Sequence, residues 1–233
     1  MNEITIDVLD KGFVTLVDHL GTDLTMVNSA RVSFGNKKDA LDKSDRGLIN
    51  YLVKNKHDSP MRHVQLQFRL KAPEFVMRQW YKHVIGMGYS VHREPDHAWN
   101  EISGRYVEYD AEFYHPKAFR KQSTDNKQAT VDECVDDPMG ARMAYNTAIH
   151  TAYGLYKELL KMGVGKEQAR GVLPVSFYTE VIWTCSLQGV LNFISLRDHE
   201  HAQWEIREYA KAVRALVAHV APVTMEAWDQ HRG

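Results

Sequence analysis

The chain of 233 residues is short of cysteine, of long apolar runs and of net charge, and each shortage removes a class of protein. Two cysteines are too few for a disulfide framework, and their settings differ. Cys134 lies in the acidic stretch Asp132-Glu133-Cys134-Val135-Asp136-Asp137, whereas Cys185 ends the apolar run Val181-Ile182-Trp183-Thr184-Cys185. Both read as free thiols of a reducing compartment. No apolar run approaches the roughly 20 residues of a membrane span, so no membrane partner is expected. Met1 to Asp7 has neither a basic nor an apolar leader segment, and the chain is expected to stay in the cytoplasm. A formal net charge of -1 gives no field for a polynucleotide. A G-x-G-x-x-G turn after a strand is absent as well. His199, Glu200 and His201 are consecutive and cannot share a helical face, so no metal is expected.

What is present is an ordinary soluble composition, 44% hydrophobic and 25% charged, in a length suited to one domain spanning residues 1–233. Ile4 to Leu9 and Phe13 to Val17 alternate around Asp10-Lys11-Gly12 and predict a hairpin. Leu48, Ile49, Leu52 and Val53 predict a helix capped at Ser44-Asp45. Val64 to Leu70 alternates as a half-buried strand, and Pro73 opens a helix carrying Arg78, Gln79 and Lys82. Gly86 to Ala98 reads as a loop. The polar, breaker-rich stretch 115–137 is too long for a connector and is expected to be an active-site loop. Ala144 to Met162 predicts a long helix with Ala148, Ala152, Leu155, Leu159 and Leu160 on its apolar side, ended by Gly163. A short helix over Gln168 to Val172, a strand or apolar helix over Phe177 to Thr184, and a strong helix over Trp204 to Val220 follow. In the last, Ile206, Ala210, Val213, Val217 and Val220 are expected inside, with Glu205, Glu208, Lys211 and Arg214 outside. The fold class is therefore mixed α/β (α+β), a single domain with a central sheet flanked by helices.

Two polar clusters carry arginine: Asn100-Glu101-Ile102-Ser103-Gly104-Arg105-Tyr106, and Asn192-Phe193-Ile194-Ser195-Leu196-Arg197 with His201-Ala202-Gln203-Trp204-Glu205 beyond it. A guanidinium meets a phosphate or planar oxyanion with a two-pronged fork. The clusters read either as one composite anion site or as two helix-capping segments with solvated arginines. These runs, with Phe75-Val76-Met77-Arg78-Gln79-Trp80-Tyr81-Lys82-His83, Ala30-Arg31-Val32-Ser33-Phe34 and His57-Asp58-Ser59-Pro60, resemble the flavin-dependent thymidylate synthases, in that family's order and over nearly the whole chain.

The resemblance implies the thymidylate synthase-complementing fold, a homotetramer with shared active sites, and conversion of dUMP to dTMP. FAD is the implied cofactor, with NADPH as reductant and 5,10-methylenetetrahydrofolate as carbon donor. Methylation at C5 of uracil commonly uses a cysteine thiolate at C6, which needs an accessible, electropositive thiol. Neither cysteine has such a setting, so the chemistry is expected to proceed without a cysteine nucleophile. Instead, negative charge on the ring is stabilised by an arginine. By resemblance that arginine is Arg197, with Ser103 beside the reacting ring as a positioning group. Gln79, Trp80, Lys82, Glu101, Ser103, Gly104, Arg105, Arg170 and Arg197 match positions that hold dUMP. Arg170 also reads as a surface cation near a helix end. Ser59, Lys82, His83, Glu101, Ser186, Gln188 and Asn192 match flavin contacts.

The chain departs from the family's Arg-His-Arg triplet. Its equivalent is Lys82-His83-Val84, followed by an apparent insertion over residues 85–99 that holds a second triplet, Val91-His92-Arg93. Either Lys82 or Arg93 takes the place of the missing guanidinium. Ser186 and Gln188 stand where Asn and Arg are expected. These departures leave two alternatives, a dUMP hydroxymethylase on the same fold and a catalytically inactive nucleotide-binding regulator. Intact Ser103, Arg105, Asn192 and Arg197 argue against the regulator.

Overall fold

Alternating apolar and polar residues carry a five-stranded antiparallel sheet that helices cover. The computed structural model describes residues 3–83, 98–110 and 112–232. In chain order the elements are β1 (Ile4–Val8), β2 (Gly12–Leu20), α1 (Asp23–Arg31), α2 (Lys43–Lys54), β3 (Gln65–Pro73), α3 (Glu74–Trp80), β4 (Ala98–Glu101), β5 (Arg120–Gln122), β6 (Thr130–Cys134), α4 (Pro138–Lys161), α5 (Lys166–Ala169), β7 (Tyr178–Ser186), α6 (Leu187–Arg197), α7 (Trp204–Val220) and α8 (Pro222–His231). The large sheet has the order β1-β2-β3-β7-β4, and β5 pairs with β6 in a separate hairpin.

The predicted hairpin at the start is β1–β2. Gly12 is needed at its turn because a Cβ there would lie 1.9 Å from the Tyr209 hydroxyl. Strand β3 pairs with β7 along nine residues, Gln65 opposite Ser186 through Pro73 opposite Tyr178. That pairing decides the ambiguous stretch 177–184 as strand, with Thr179, Val181, Trp183 and Cys185 buried on one face. Val14, Leu16, Leu66, Phe68 and Leu70 share that face, and α3, α6 and α7 pack on it. At the centre Trp80 stacks on Phe193 at 4.4 Å and meets Trp183 and Tyr209 edge-on at 5.6 and 5.8 Å.

Several expectations need correction. The cap of α2 is Asp42, and Asp45 is the wholly buried third residue of its capping box, held by Arg31 and Lys38. Helix α4 begins at Pro138, capped by the Asp137 carboxylate on Gly140 N at 2.8 Å. Its packed side centres on Ile149 and Tyr156, whereas Ala148 and Leu155 are exposed. Residues 115–137 are not structureless, since they carry the β5–β6 hairpin. Ala98 and Trp99, expected in the inserted loop, pair with Thr184 and Trp183 of β7. Residues 84–97, which hold the rest of that segment with Val91, His92 and Arg93, lie outside the described residues. Glu205, expected on the outer face of α7, is buried.

The first turn of α8 has no side-chain cap of its own, because its flanking residue is Ala221. Asp23 of α1 supplies one from across the fold. Its buried carboxylate accepts from Val223 N at 2.9 Å, Thr224 N at 3.0 Å and Thr224 Oγ1 at 2.5 Å. Asp23→Ala strands these buried donors and is expected to cost about 3 kcal/mol in urea unfolding. A loss below about 1 kcal/mol would mean that this contact is not what docks α8.

Candidate active site

Strand β4 ends the sheet, and the chain leaves it with Ile102 N still donating to Glu180 O at 3.0 Å. It then folds tightly, with Tyr106 N and Val107 N both donating to Ser103 O at 3.0 and 3.3 Å. Tyr109 fixes this turn from below. Gly104 N donates to the Tyr109 hydroxyl at 2.9 Å, and the hydroxyl donates to Ile102 O at 3.3 Å. Only glycine fits at 104, since a Cβ would meet the Tyr109 ring at 2.1 Å. Tyr109 N in turn donates to the Tyr156 hydroxyl of α4 at 3.1 Å. The Ser103 hydroxyl accepts from Arg105 N and Nε at 3.3 and 3.4 Å.

The turn forms one wall of a cleft of about 550 Å³ whose charged lining includes Glu74, Arg78, Glu101, Arg105 and Arg170. Glu101 accepts from Thr179 Oγ1 at 2.8 Å. Burial and the neighbouring Glu101 push the Glu74 carboxyl up. Burial likewise pushes the Tyr109 phenol up. Arg78, Arg105 and Arg170 with Glu74, Glu101 and Glu167 give a site that is polar and charged, with guanidinium forks that can hold an anion.

Arg197 is the last residue of α6, and it is not among the residues lining that cleft. Its Nε donates to His83 Nε2 at 2.9 Å and its Nη1 to Gln79 Oε1 at 3.4 Å. Both partners are neutral acceptors. Burial, with the Arg197 charge beside it, holds His83 down at about 4, so the imidazole keeps its lone pair at neutral pH. Burial alone lowers Arg197. Among the described residues no carboxylate pairs with Arg197, so its charge remains available to a ligand.

A third group gathers at the other end of α6. Ser186 caps the helix by accepting from Gly189 N at 3.2 Å. Gln188 accepts from Arg62 Nε at 2.6 Å and donates to Asp58 Oδ2 at 3.1 Å, while Ser59 begins the adjoining 3-10 turn. Asn192 is half-buried one turn beyond Gln188 on the same helical face.

The structure therefore brings Glu101, Ser103, Gly104, Arg105 and Arg170 together around one cleft, and Gln79, His83 and Arg197 together elsewhere. Within one chain Arg197 does not line the Arg105 cleft. Ser59, Ser186, Gln188 and Asn192 gather at the start of α6, while exposed Lys82 follows α3. Trp80, expected on the nucleotide, is wholly buried in the core, where its indole Nε1 has no hydrogen-bond partner. Sequence reasoning missed Tyr109, Arg120, Gln203 and Glu205. Tyr109 carries no motif signal, and Arg120 and Glu205 are joined only by the fold, at 2.8 Å. Arg120, Trp204 and Glu205 line a second cleft of about 620 Å³ between the hairpin and α7.

The described residues thus set an antiparallel sheet, helix-covered on one face, beside two separate arginine groups. A family model described as thymidylate synthase complementing protein matches residues 15–223. The flavin-dependent thymidylate synthase of Thermus thermophilus is 43% identical over 228 residues, 98% of this chain and 79% of that one. That of Thermosipho africanus is 41% identical over 224 residues, 95% of this chain and 92% of the relative. A crystal structure of the UMP/dUMP methylase PolB from Streptomyces cacaoi bound with 5-Br dUMP superposes with a TM-score of 0.83 at 33% identity, covering 97% of each chain. The chain belongs to the thymidylate synthase complementing proteins, the flavin-dependent thymidylate synthases.

Two predictions follow from the geometry. Gly104→Ala must push the Tyr109 ring aside, so it is expected to weaken nucleotide binding at least about 10-fold by titration calorimetry while the protein stays folded. His83 stays unprotonated down to about 4, against an ordinary value of 6.5, so between these values the unfolded chain binds more protons. Its contribution to stability is whole above pH 6.5 and is lost as the pH falls toward 4. Melting temperature against pH should accordingly fall less steeply over that window for His83→Asn; parallel profiles would remove the basis for a neutral His83.

Proposed function

We propose that this chain methylates C5 of dUMP to give dTMP as a flavin-dependent thymidylate synthase, using FAD, NADPH and 5,10-methylenetetrahydrofolate. The single observation that carries the mechanism is Arg197, half-buried and held by two neutral acceptors. A guanidinium whose charge is not cancelled by a carboxylate, in a partly dry setting, stabilises negative charge developing on a uracil ring more than a solvated or paired one does. His83 and Gln79 each fix a different N–H, so the Nη2 edge is the part of the fork that faces a ligand.

In this reading the Ser103 turn positions the ring, and Arg105 and Arg170 take the phosphate. Gln79 has its amide beside the ring, while Lys82 and Glu101 stand at the margin between nucleotide and flavin. At the start of α6, exposed Ser59 and half-buried Asn192 offer a hydroxyl and an amide to a flavin, while buried Ser186 and Gln188 shape the site behind them, Ser186 as the helix cap and Gln188 through Arg62 and Asp58. Exposed Arg62, on the Gln188 side chain, adds a cation suited to a pyrophosphate. Lys82 and His83 complete the set. FAD, when bound, supplies the electrons that reduce the transferred carbon to a methyl group. The separation of the two arginine clusters within one chain supports a homotetramer in which the Ser103 cleft of one subunit faces the Arg197 group of another.

One observation favours a wider substrate range. PolB is named a UMP/dUMP methylase, and solved structures of it hold 5-Br dUMP and 5-Br UMP, with TM-scores of 0.83 and 0.81 to this chain. The test is mass spectrometry of the products when the flavin-loaded protein receives dUMP or UMP together with NADPH and methylenetetrahydrofolate. A methylated deoxynucleotide with UMP untouched is expected. Methylation of both would place this chain with the broader activity, and a hydroxymethyl product would overturn the reading. Arg197→Ala is expected to lower turnover roughly 100- to 1000-fold while leaving measurable dUMP binding through Arg105 and Arg170. Wild-type turnover in that variant would remove Arg197 from the chemistry.

A further inference from the structure

The hydrogen bonds on Arg197 do not stop at Gln79. Gln79 Nε2 donates to Gln203 Oε1, and Gln203 Nε2 donates to Glu205 Oε2 at 3.0 Å. The other carboxylate oxygen of Glu205 accepts from Arg120 Nη2 of β5 at 2.8 Å and from the Tyr114 hydroxyl at 3.3 Å. Glu205 is only 5% exposed. The chain of contacts has a donor-only guanidinium at one end and an acceptor-only carboxylate at the other, with two amides between them. Only one orientation of those amides satisfies every link: each NH2 toward Glu205 and each carbonyl toward Arg197. A side chain three contacts away therefore decides whether Arg197 meets an acceptor or a donor.

We infer that Glu205 and Gln203 are positioning residues for the ring-stabilising arginine: the Glu205 carboxylate, anchored by Arg120 of the β5–β6 hairpin, sets the amide orientations that hold Arg197 in place. The inference rests on the proposed role of Arg197 and adds the device that aims it. Low local dielectric strengthens such a directional chain, because each amide polarises the next. It also gives the hairpin a role at the site. Arg120 stacks over Trp204 at 4.9 Å, so β5 is fastened to the first turn of α7, where Gln203 and Glu205 lie.

Isosteric exchanges test the direction of the chain without changing its volume. In Glu205→Gln, Arg120 and Tyr114 claim the new carbonyl, which turns the new NH2 toward Gln203. Gln203 and then Gln79 must flip, and Arg197 faces an NH2. Gln203→Glu alone sets two carboxylates against each other. The double variant, Gln203→Glu with Glu205→Gln, restores the order: the NH2 at 205 donates to the carboxylate at 203, which accepts from Gln79, whose carbonyl again meets Arg197.

Glu205→Gln is expected to lower kcat about 10- to 100-fold with dUMP affinity changed less than about 3-fold, and the double exchange to recover to within about 3-fold of the parent. The Arg197 Nε–H resonance, assigned through Arg197→Lys, should shift or broaden in Glu205→Gln and return in the double. Wild-type kcat in Glu205→Gln, or a folded double variant no better than Glu205→Gln, would overturn the inference. If a single variant does not accumulate as folded protein, the double variant decides alone, since it is predicted both to fold and to turn over. Failure of the functional reading would show separately, as an unsubstituted chain that makes no methylated nucleotide, whereas the resonance reports the Arg197 contacts whether or not turnover occurs.

Discussion

The stack of Trp80 on Phe193 is the contact on which the Arg197 group depends. Phe193 and Arg197 are four residues apart on α6 and so share a face, while Gln79 and His83 flank Trp80 at the end of α3. Setting the two rings together at 4.4 Å fixes the height of one helix against the other. The acceptors of Gln79 and His83 then fall opposite the guanidinium. His83 also packs edge-on against Phe193 at 5.1 Å, so the same ring that registers the helices orients the imidazole. Trp183 of β7 and Tyr209 of α7 close the cluster from the sheet and the neighbouring helix. A tryptophan that resembles a ligand contact in its motif thus serves the site as a spacer.

Charge is managed differently at Arg197 than at four other half-buried arginines. Arg31 is paired with Asp45, Arg120 with Glu205, Arg214 with Asp198 and Asp229, and Arg232 with Asp58. Those pairs hold elements together, and each guanidinium's field is largely spent on its own carboxylate. Arg197 is given an imidazole and an amide instead, which fix direction without neutralising charge. The cost is desolvation without a Coulombic return, visible in the downward pull on Arg197 and His83. A fold tolerates that cost where an incoming anion or developing charge can offset it.

How far the sequence could be read follows from how each element is buried. Strands β2 and β3 and helix α7 bury one face only, so their periods of two and of about three and a half stand out in the residues. Helix α6 is buried almost all the way round from Leu187 to Ile194, so no polar stripe marks it as a helix. Glu205 misleads for a related reason: a carboxylate in a helical sequence reads as solvent-facing, and its partner Arg120 lies 85 residues earlier on a hairpin that polar composition disguises as loop. The cleft group was legible because Glu101, Ser103, Gly104 and Arg105 are adjacent in sequence, and motif order added Arg170. Its support by Tyr109 was not, since a tyrosine under a glycine turn carries no spacing that differs from ordinary core.

The state of the two thiols bears on why the arginine has to carry so much. Cys185 lies in β7 among core side chains, and burial pushes its thiol up to about 12, so almost none of it is thiolate at neutral pH. Cys134 is exposed at the end of β6, where the nearby Lys121 is already engaged by Glu133 and Asp136. Burial thus removes Cys185 as a nucleophile toward C6 of uracil, and Cys134 lines neither of the two large clefts. C5 must then be made reactive without a covalent bond to the protein, and the remaining means is to lower the energy of negative charge on the ring. That places the demand on a cation that is oriented, partly dry and not already paired. Arg197 at the end of α6 meets that demand: it is half-buried, has no carboxylate partner among the described residues, and is held by His83 and Gln79, with the donor order running back to Glu205 keeping it aimed.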